Sequence, residues 1–233
     1  MNPAFLTQFL QGSKKGLPLM IGYIPIAIAF GVLARQADLP MLPTLLMSLM
    51  VYAGASQFMA VNMIAAGTAG VEIIIATFIL NLRHLIMSLS LMNALRHIPK
   101  SWKSFLSFGI TDETFAVASL EASQDRSRMH HFYVLGLFAA AYGSWVIGTF
   151  IGAALYQLIP ASISDSMAIA LYAMFIGLLV PAVQKSWRFG LIAAVSILLC
   201  TVFHQFLSSG WSIVLATIFG SMAGIFVYKE EEA

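Results

Sequence analysis

The chain has 233 residues, of which 60% are hydrophobic and only 9% are charged. A soluble domain carries about 25% charged residues, so these side chains are too few to cover a soluble fold of this size. The formal net charge is +2 and no basic stripe occurs, which excludes nucleic-acid binding as a main activity. The single cysteine, Cys200, excludes a disulfide within the chain. The composition predicts an integral membrane protein.

Hydrophobic segments follow one another along the whole chain. Crossing a bilayer core of ~30 Å takes ~20 mostly apolar residues. Long uncharged stretches run over 17–34, 39–71, 132–164, 166–184 and 189–228, the last of them long enough for two helices. Two further segments, 71–91 and 103–120, carry charges inside them. The pattern predicts an all-α polytopic membrane protein of about eight hydrophobic segments, with residues 1–233 as a single integral membrane domain.

Two of the hydrophobic segments contain helix-breaking residues at their middle. The segment 39–71 contains them at 52–57, and the segment 103–120 contains them at 109–114. Each segment could cross the membrane fully. Alternatively, each could be a broken or re-entrant element, with legs of ~11 residues that rise ~16 Å, half of the hydrocarbon core.

Basic residues decide between the two arrangements. Lys and Arg concentrate in cytoplasmic loops, which places 126–128 and 185–188 in the cytoplasm. Full crossings would put the basic residues of 96–103 outside, whereas hairpins return them to the cytoplasmic side. We therefore favour hairpins, and both arrangements predict short cytoplasmic termini.

The first break has the sequence Tyr52-Ala53-Gly54-Ala55-Ser56-Gln57, which predicts the start of a half-helix. Ser56 is a candidate N-cap, and the small residues allow close approach of a ligand. Backbone N–H groups at such a terminus bind anionic substrate groups in transporters with discontinuous helices. The alternative is a packing notch made of small residues between two helices.

The second break contains two adjacent carboxylates, Asp112 and Glu113, after Thr111. Carboxylates in an apolar segment are costly unless they are paired, hydrated or protonated. Thr111 can cap the following helix, and acidic residues in its first turn favour the helix dipole. A cap is thus the structural interpretation, and a proton site or a partner for a substrate ammonium group is the functional one.

The charged segment 71–91 carries Asn81, Arg83 and His84 near its middle. Asn81 and His84 lie three residues apart on one helical face, which predicts that they face the protein interior. Arg83 points elsewhere, and Asp112 or Glu113 is its best candidate partner for a structural ion pair. His84 is a candidate proton relay, or a buried histidine with a satisfied hydrogen bond.

No P-loop, HExxH or GxSxG motif occurs in the sequence. We therefore predict no catalytic residues, no metal site and no cofactor. Two alternatives stay open beside a carrier: a membrane-embedded enzyme using Asp112 and Glu113, and a channel or structural subunit.

Four stretches together resemble signature sequences of the AzlC family. They are Pro25–Gly31, Tyr52–Phe58, the Arg83-His84 pair and Thr111–Ala116. The Tyr-Ala-Gly-Ala-Ser-Gln-Phe string is the most specific of them, and the motifs cover about the first half of the chain.

The resemblance implies a secondary carrier that exports branched-chain amino acids (leucine, isoleucine, valine, and also methionine) from the bacterial cytoplasm. It also implies that this chain is the large subunit, working with a small, hydrophobic AzlD-like membrane subunit. The expected location is the bacterial cytoplasmic (inner) membrane, and the expected energy source is the proton gradient.

We combine these observations into one expected site. Substrate binding is assigned to Tyr52, Gly54, Ala55, Ser56, Gln57 and Asn81. Proton coupling or the ammonium contact is assigned to Asp112, Glu113 and His84, and Arg83 is expected to form the structural ion pair.

Overall fold

A computed structural model describes residues 3–96, 98–125 and 129–229 of the chain. Over these residues the protein is helical and contains no strand, which confirms the all-α prediction. The helices are α1 (Pro3–Gln36), α2 (Met41–Leu46), α3 (Gly54–Ala65), α4 (Gly70–Ala94), α5 (Lys100–Ser107), α6 (Asp112–Gln124), α7 (His131–Leu155), α8 (Ala161–Lys185), α9 (Trp187–Phe203) and α10 (Ser209–Lys229). Residues 126–128, which the sequence argument on orientation uses, and the last four residues lie outside the described residues.

Helices α1 and α7 run parallel and form the centre of the fold. Gly12 of α1 lies against Tyr133 near the start of α7, and Gly31 lies against Ala153 near its end. A Cβ atom on Gly152 would lie 2.1 Å from the carbonyl oxygen of Ile28, so the two backbones are in direct contact. Small residues permit such close approach between membrane helices. We call the end at which α1 and α7 begin the basal end, and the opposite end the distal end.

The first break forms a re-entrant hairpin that enters from the distal end. Its first leg, α2 followed by a π-helical turn (Met47–Val51), begins near Arg35, whose guanidinium lies over the ring of Tyr156 at the end of α7. The leg ends at Tyr52, which takes the left-handed conformation (φ 46°). The ring of Tyr52 lies 4.9 Å from the ring of Tyr142, halfway along α7.

The second leg of this hairpin, α3, returns to the distal end. Gly54 at its start packs against Trp145, and Phe58 one turn later lies 5.5 Å from Phe30, close to the distal end of α1. Both legs therefore open to the same end of the molecule. We call this element the distal hairpin (residues 41–65).

The second break forms a hairpin that enters from the basal end. The ring of Trp102 in α5 lies 4.7 Å from the ring of His131 at the start of α7. The ring of Phe108 lies 5.8 Å from the ring of Tyr142. The chain turns there, and α6 leads back until Glu121 accepts a hydrogen bond from Tyr133 at 2.9 Å. We call this element the basal hairpin (residues 100–124). The tips of the two hairpins meet at mid-depth, with the rings of Tyr52 and Phe108 6.5 Å apart.

Helix α4 connects the two ends, and α9 and α10 pack against each other. Helix α4 begins distally, where Glu72 accepts a hydrogen bond from Ser208 at 2.7 Å, and it ends in the basal apolar cluster that contains Leu91 and Met129. Helices α9 and α10 run antiparallel, since Gly220 contacts Ser196 and Gly224 contacts Ile192.

By length and hydropathy, three of the described helical stretches are able to cross a membrane on their own, namely Phe5–Gln36, Gly70–Asn93 and His131–Leu158. The eight hydrophobic segments of the sequence therefore correspond to two hairpins and six longer helices, α1, α4 and α7 to α10. The contacts favour re-entrant hairpins over full crossings for both broken segments.

Candidate functional site

A small polar cavity lies where the hairpin tips meet α1, α4 and α7. Its volume is about 20 Å³, enough for about one water molecule. It is lined by Tyr23, Tyr52, Ala53, Gly54, Ala55, Arg83, His84, Thr111, Asp112, Glu113, Trp145 and Phe175. Three of the four stretches that the sequence singled out, all except Pro25–Gly31, therefore contribute to one place, and we call it the polar cavity.

The start of α3 reaches the polar cavity, and its N-cap residue has no side chain that could accept a hydrogen bond from the first turn. Helix α3 begins at Gly54 with Ala53 as N-cap, and it carries no acidic residue in its first turn. The prediction of Ser56 as N-cap is wrong, because the helix begins two residues earlier and the Ser56 hydroxyl donates to the Ala53 carbonyl at 2.9 Å. The positive end of the α3 dipole and the N–H groups of its first turn therefore face this cavity without a carboxylate from α3 itself.

The Gln57 side chain connects the two legs of the distal hairpin to each other and to α7. Its side-chain oxygen accepts hydrogen bonds from the indole N–H of Trp145 at 3.1 Å and from the N–H of Ala53 at 3.2 Å. Its amide nitrogen donates to Ser48 at 3.0 Å. Gln57 and Ser56 are both buried and do not line the polar cavity. Their proposed contact with substrate stays a prediction, while Tyr52, Gly54 and Ala55 do line the cavity.

The start of α6 is capped as its sequence predicts. The Thr111 side chain accepts a hydrogen bond from the Thr114 N–H, and the Thr114 hydroxyl accepts one from the Thr111 N–H at 2.7 Å. This reciprocal capping box leaves Asp112 and Glu113 in the first turn, where their charge favours the helix dipole. The carboxylates therefore enter the polar cavity from the basal hairpin.

The two carboxylates point to different partners. Asp112 Oδ2 lies 2.7 Å from Arg83 Nη1, so this ion pair ties the basal hairpin to the middle of α4. The Tyr23 hydroxyl donates to Glu113 Oε2 at 2.5 Å and lies 2.5 Å from Thr111 Oγ1. Asp112 is thus paired with a cation, whereas Glu113 has no ion-pair partner among the described residues.

Asn81 and His84 lie on the same face of α4, but only His84 lines the polar cavity. Asn81 Oδ1 and His84 Nε2 are buried and have no hydrogen-bond partner among the described residues. Asn81 thus lies beyond the cavity wall, and its contact with substrate stays a prediction. The free Nε2 of His84 is available to a ligand or a water molecule.

Sequence reasoning missed Phe175 and two polar cavity residues, Tyr23 and Trp145. Both carry a polar group in the middle of a long apolar helix, although tyrosine and tryptophan favour the membrane interfaces. A buried indole N–H or phenol hydroxyl normally has a partner, so each of these positions was a signal for polar contacts at mid-depth. Their partners, Gln57 and Glu113, lie in the two hairpins.

A family model of the AzlC protein matches residues 18–159, which include both hairpins and all lining residues except Phe175. The chain therefore belongs to the AzlC family. It is also 33% identical to the inner membrane protein YgaZ of Escherichia coli K12 over 182 residues, which cover 76% of this chain and 74% of YgaZ.

The chain is also similar to two other proteins. An uncharacterized membrane protein of Archaeoglobus fulgidus is 32% identical over 74% of this chain and 75% of its own length. The branched-chain amino acid transport protein AzlC of Bacillus subtilis is 27% identical over 58% of this chain and 53% of its own length. No solved structure matches the chain significantly. The family and the apolar helices together identify this chain as a multi-pass membrane protein with a role in transport.

Proposed function

We propose that the chain is a secondary carrier that exports branched-chain amino acids from the bacterial cytoplasm across the inner membrane. The observation that carries the proposal is the charge distribution of the polar cavity. The distal hairpin contributes the start of α3, which has no acidic residue, and the basal hairpin contributes Glu113.

This arrangement is complementary to an α-amino acid. Helix N-termini bind carboxylates through their N–H groups and positive dipole end. A carboxylate such as Glu113 binds an ammonium group, and Asp112 is already paired with Arg83 at 2.7 Å. A zwitterion therefore finds one partner for each of its charges, with the α-carboxylate at Gly54 and Ala55 and the ammonium group at Glu113.

The polar cavity is too small for an amino acid, since ligand pockets usually measure about 300–1,000 Å³. We infer that the structure is a closed state and that transport requires one hairpin to move away from the other. Two hairpins that enter from opposite ends suit this, because either tip can separate from the cavity while the other remains closed. Irregular backbone at membrane depth is tolerated where it lines such a cavity.

We propose further that export is coupled to protons through Glu113, and that the basal end is cytoplasmic. Four lysines support this orientation. Lys14 and Lys15 lie in the basal half of α1, and Lys100 and Lys103 lie in α5 of the basal hairpin. A small AzlD-like membrane subunit is the proposed partner, and this proposal rests on the family.

Counterflow of labelled leucine in proteoliposomes tests the carrier proposal. Vesicles loaded with unlabelled leucine should accumulate external label transiently, because a carrier exchanges one molecule for another. A membrane enzyme would instead form a new product, and a channel would equilibrate the label without accumulation. Either of those results would overturn the proposal.

A further inference from the structure

We infer that an apolar cavity next to the polar cavity receives the substrate's side chain, and that Met59 and Phe175 determine which side chains fit. This inference rests on the proposed function, because it assumes an amino acid bound at the hairpin tips. The apolar cavity has a volume of about 380 Å³. It is lined by Ala55, Phe58, Met59, Asn62 and Met63 of α3, Ala66 directly after α3, Leu80 and Arg83 of α4, Tyr172 and Phe175 of α8, and Ile213 of α10.

The two cavities are neighbours with common walls. Ala55, Arg83 and Phe175 line both of them. Phe175 also packs against the buried cluster that contains Tyr23 and Trp145. A ligand with its charged groups in the polar cavity therefore needs to pass only these residues to place an apolar group in the apolar cavity.

The direction of α3 fits this placement. Ala55 and Met59 are four residues apart and lie on the same face of the helix. A carboxylate bound by the first turn of α3 would leave the rest of the molecule beside this face, one turn along at Met59. Methionine is flexible and polarizable, so it packs well against aliphatic side chains of different shapes.

A second large cavity lies on the basal side and is a weaker candidate. Its volume is about 490 Å³, and it lies between α4, the basal hairpin and α7 with Lys100 and Lys103 in its wall. It shares no lining residue with the polar cavity, so a ligand held at the hairpin tips does not reach it through a common wall. The apolar cavity is therefore the better match for a branched aliphatic side chain.

Variants of Met59 test the inference through substrate preference rather than through overall activity. Met59→Phe fills part of the cavity, and Met59→Ala enlarges it. One methylene more or less in an apolar pocket changes specificity by about 10–200-fold. We expect Met59→Phe to lower leucine exchange at least about 10-fold relative to alanine exchange, and Met59→Ala to raise competition by phenylalanine by a similar factor.

The measurement is inhibition of labelled-leucine counterflow by a panel of unlabelled amino acids, in vesicles that also contain the proposed small subunit. Met222→Phe is the matched control, since Met222 is 47% exposed on α10 and lines neither cavity. It should leave the order of competitors unchanged.

The outcomes separate the two proposals. If wild-type vesicles exchange no branched-chain amino acid, the proposed function fails and this inference fails with it. If the wild type exchanges leucine but the Met59 variants change all competitors equally, or change none, the apolar cavity is not the side-chain site. If Met59→Phe does not fold, Met59→Ala gives the answer by the same criterion.

Discussion

Asp112 and Glu113 are neighbours in the sequence, but the structure gives them different surroundings. Asp112 lies 2.7 Å from Arg83, whereas Glu113 accepts a hydrogen bond from Tyr23. Adjacent residues on a helix point about 100° apart, which explains how one carboxylate meets α4 and the other meets α1. The two residues should therefore respond differently to the same kind of substitution.

Glu113→Gln should abolish export driven by a pH gradient while leaving measurable leucine exchange. Glutamine keeps the shape of the side chain and its contact with Tyr23, but it cannot carry a proton. The measurement compares transport with and without an imposed pH gradient. Asp112→Asn is the matched control and should keep gradient-driven transport. Wild-type gradient-driven transport in both variants would show that neither carboxylate carries the proton.

Asp112→Asn should instead reduce stability by about 1 kcal/mol, because it removes a charge that favours the α6 dipole and pairs with Arg83. Thermal unfolding in detergent would detect the loss. Wild-type stability in this variant would argue against a structural role for the ion pair.

At the scale of elements, the contact between α1 and α7 depends on glycines. Gly152→Ala should destabilise the protein by about 1–3 kcal/mol, since its new Cβ would lie 2.1 Å from the backbone oxygen of Ile28. Gly143→Ala on the same helix is the control, because nothing lies within 4 Å of a Cβ there. The folded yield of each variant by size-exclusion chromatography measures the difference. Equal yields would show that the helices can separate at little cost.

The breaks within the hairpins could be predicted from the sequence, and so could the cap at Thr111. These features depend on local chemistry: small residues after Tyr52, and a hydroxyl before two carboxylates. The parallel α1–α7 contact could not be predicted, because no local rule relates Gly12 to Tyr133 across more than a hundred residues. For the same reason the Gln57–Trp145 hydrogen bond could not be predicted, although the sequence analysis assigned Gln57 to substrate binding.

At the scale of the whole molecule, the hairpins fix which loops share a side of the membrane. In a Cys200→Ser background, Ser101→Cys at the base of the basal hairpin should react with an impermeant thiol reagent only from the cytoplasm. Gln157→Cys, in the short 3₁₀ turn after α7, is exposed and should react only from outside. Labelling of position 101 from outside in intact cells would contradict the proposed orientation of the basal hairpin.

The proposed small subunit makes a second prediction at this scale. The chain expressed alone should export leucine poorly and give a lower folded yield than the chain expressed together with the small subunit. Transport assays on both preparations provide the comparison. Full export by the purified single chain would refute a two-subunit requirement.

The meeting of the hairpin tips at mid-depth also has an electrical consequence. In the proposed carrier, the closed polar cavity between the hairpin tips, about 20 Å³ in volume, is the barrier that a transported charge crosses. A zwitterion crosses this barrier without moving net charge, but a proton carried with or against it moves one elementary charge. That charge is worth about 2.3 kcal/mol per 100 mV, so coupling through Glu113 makes the rate of export sensitive to voltage as well as to pH.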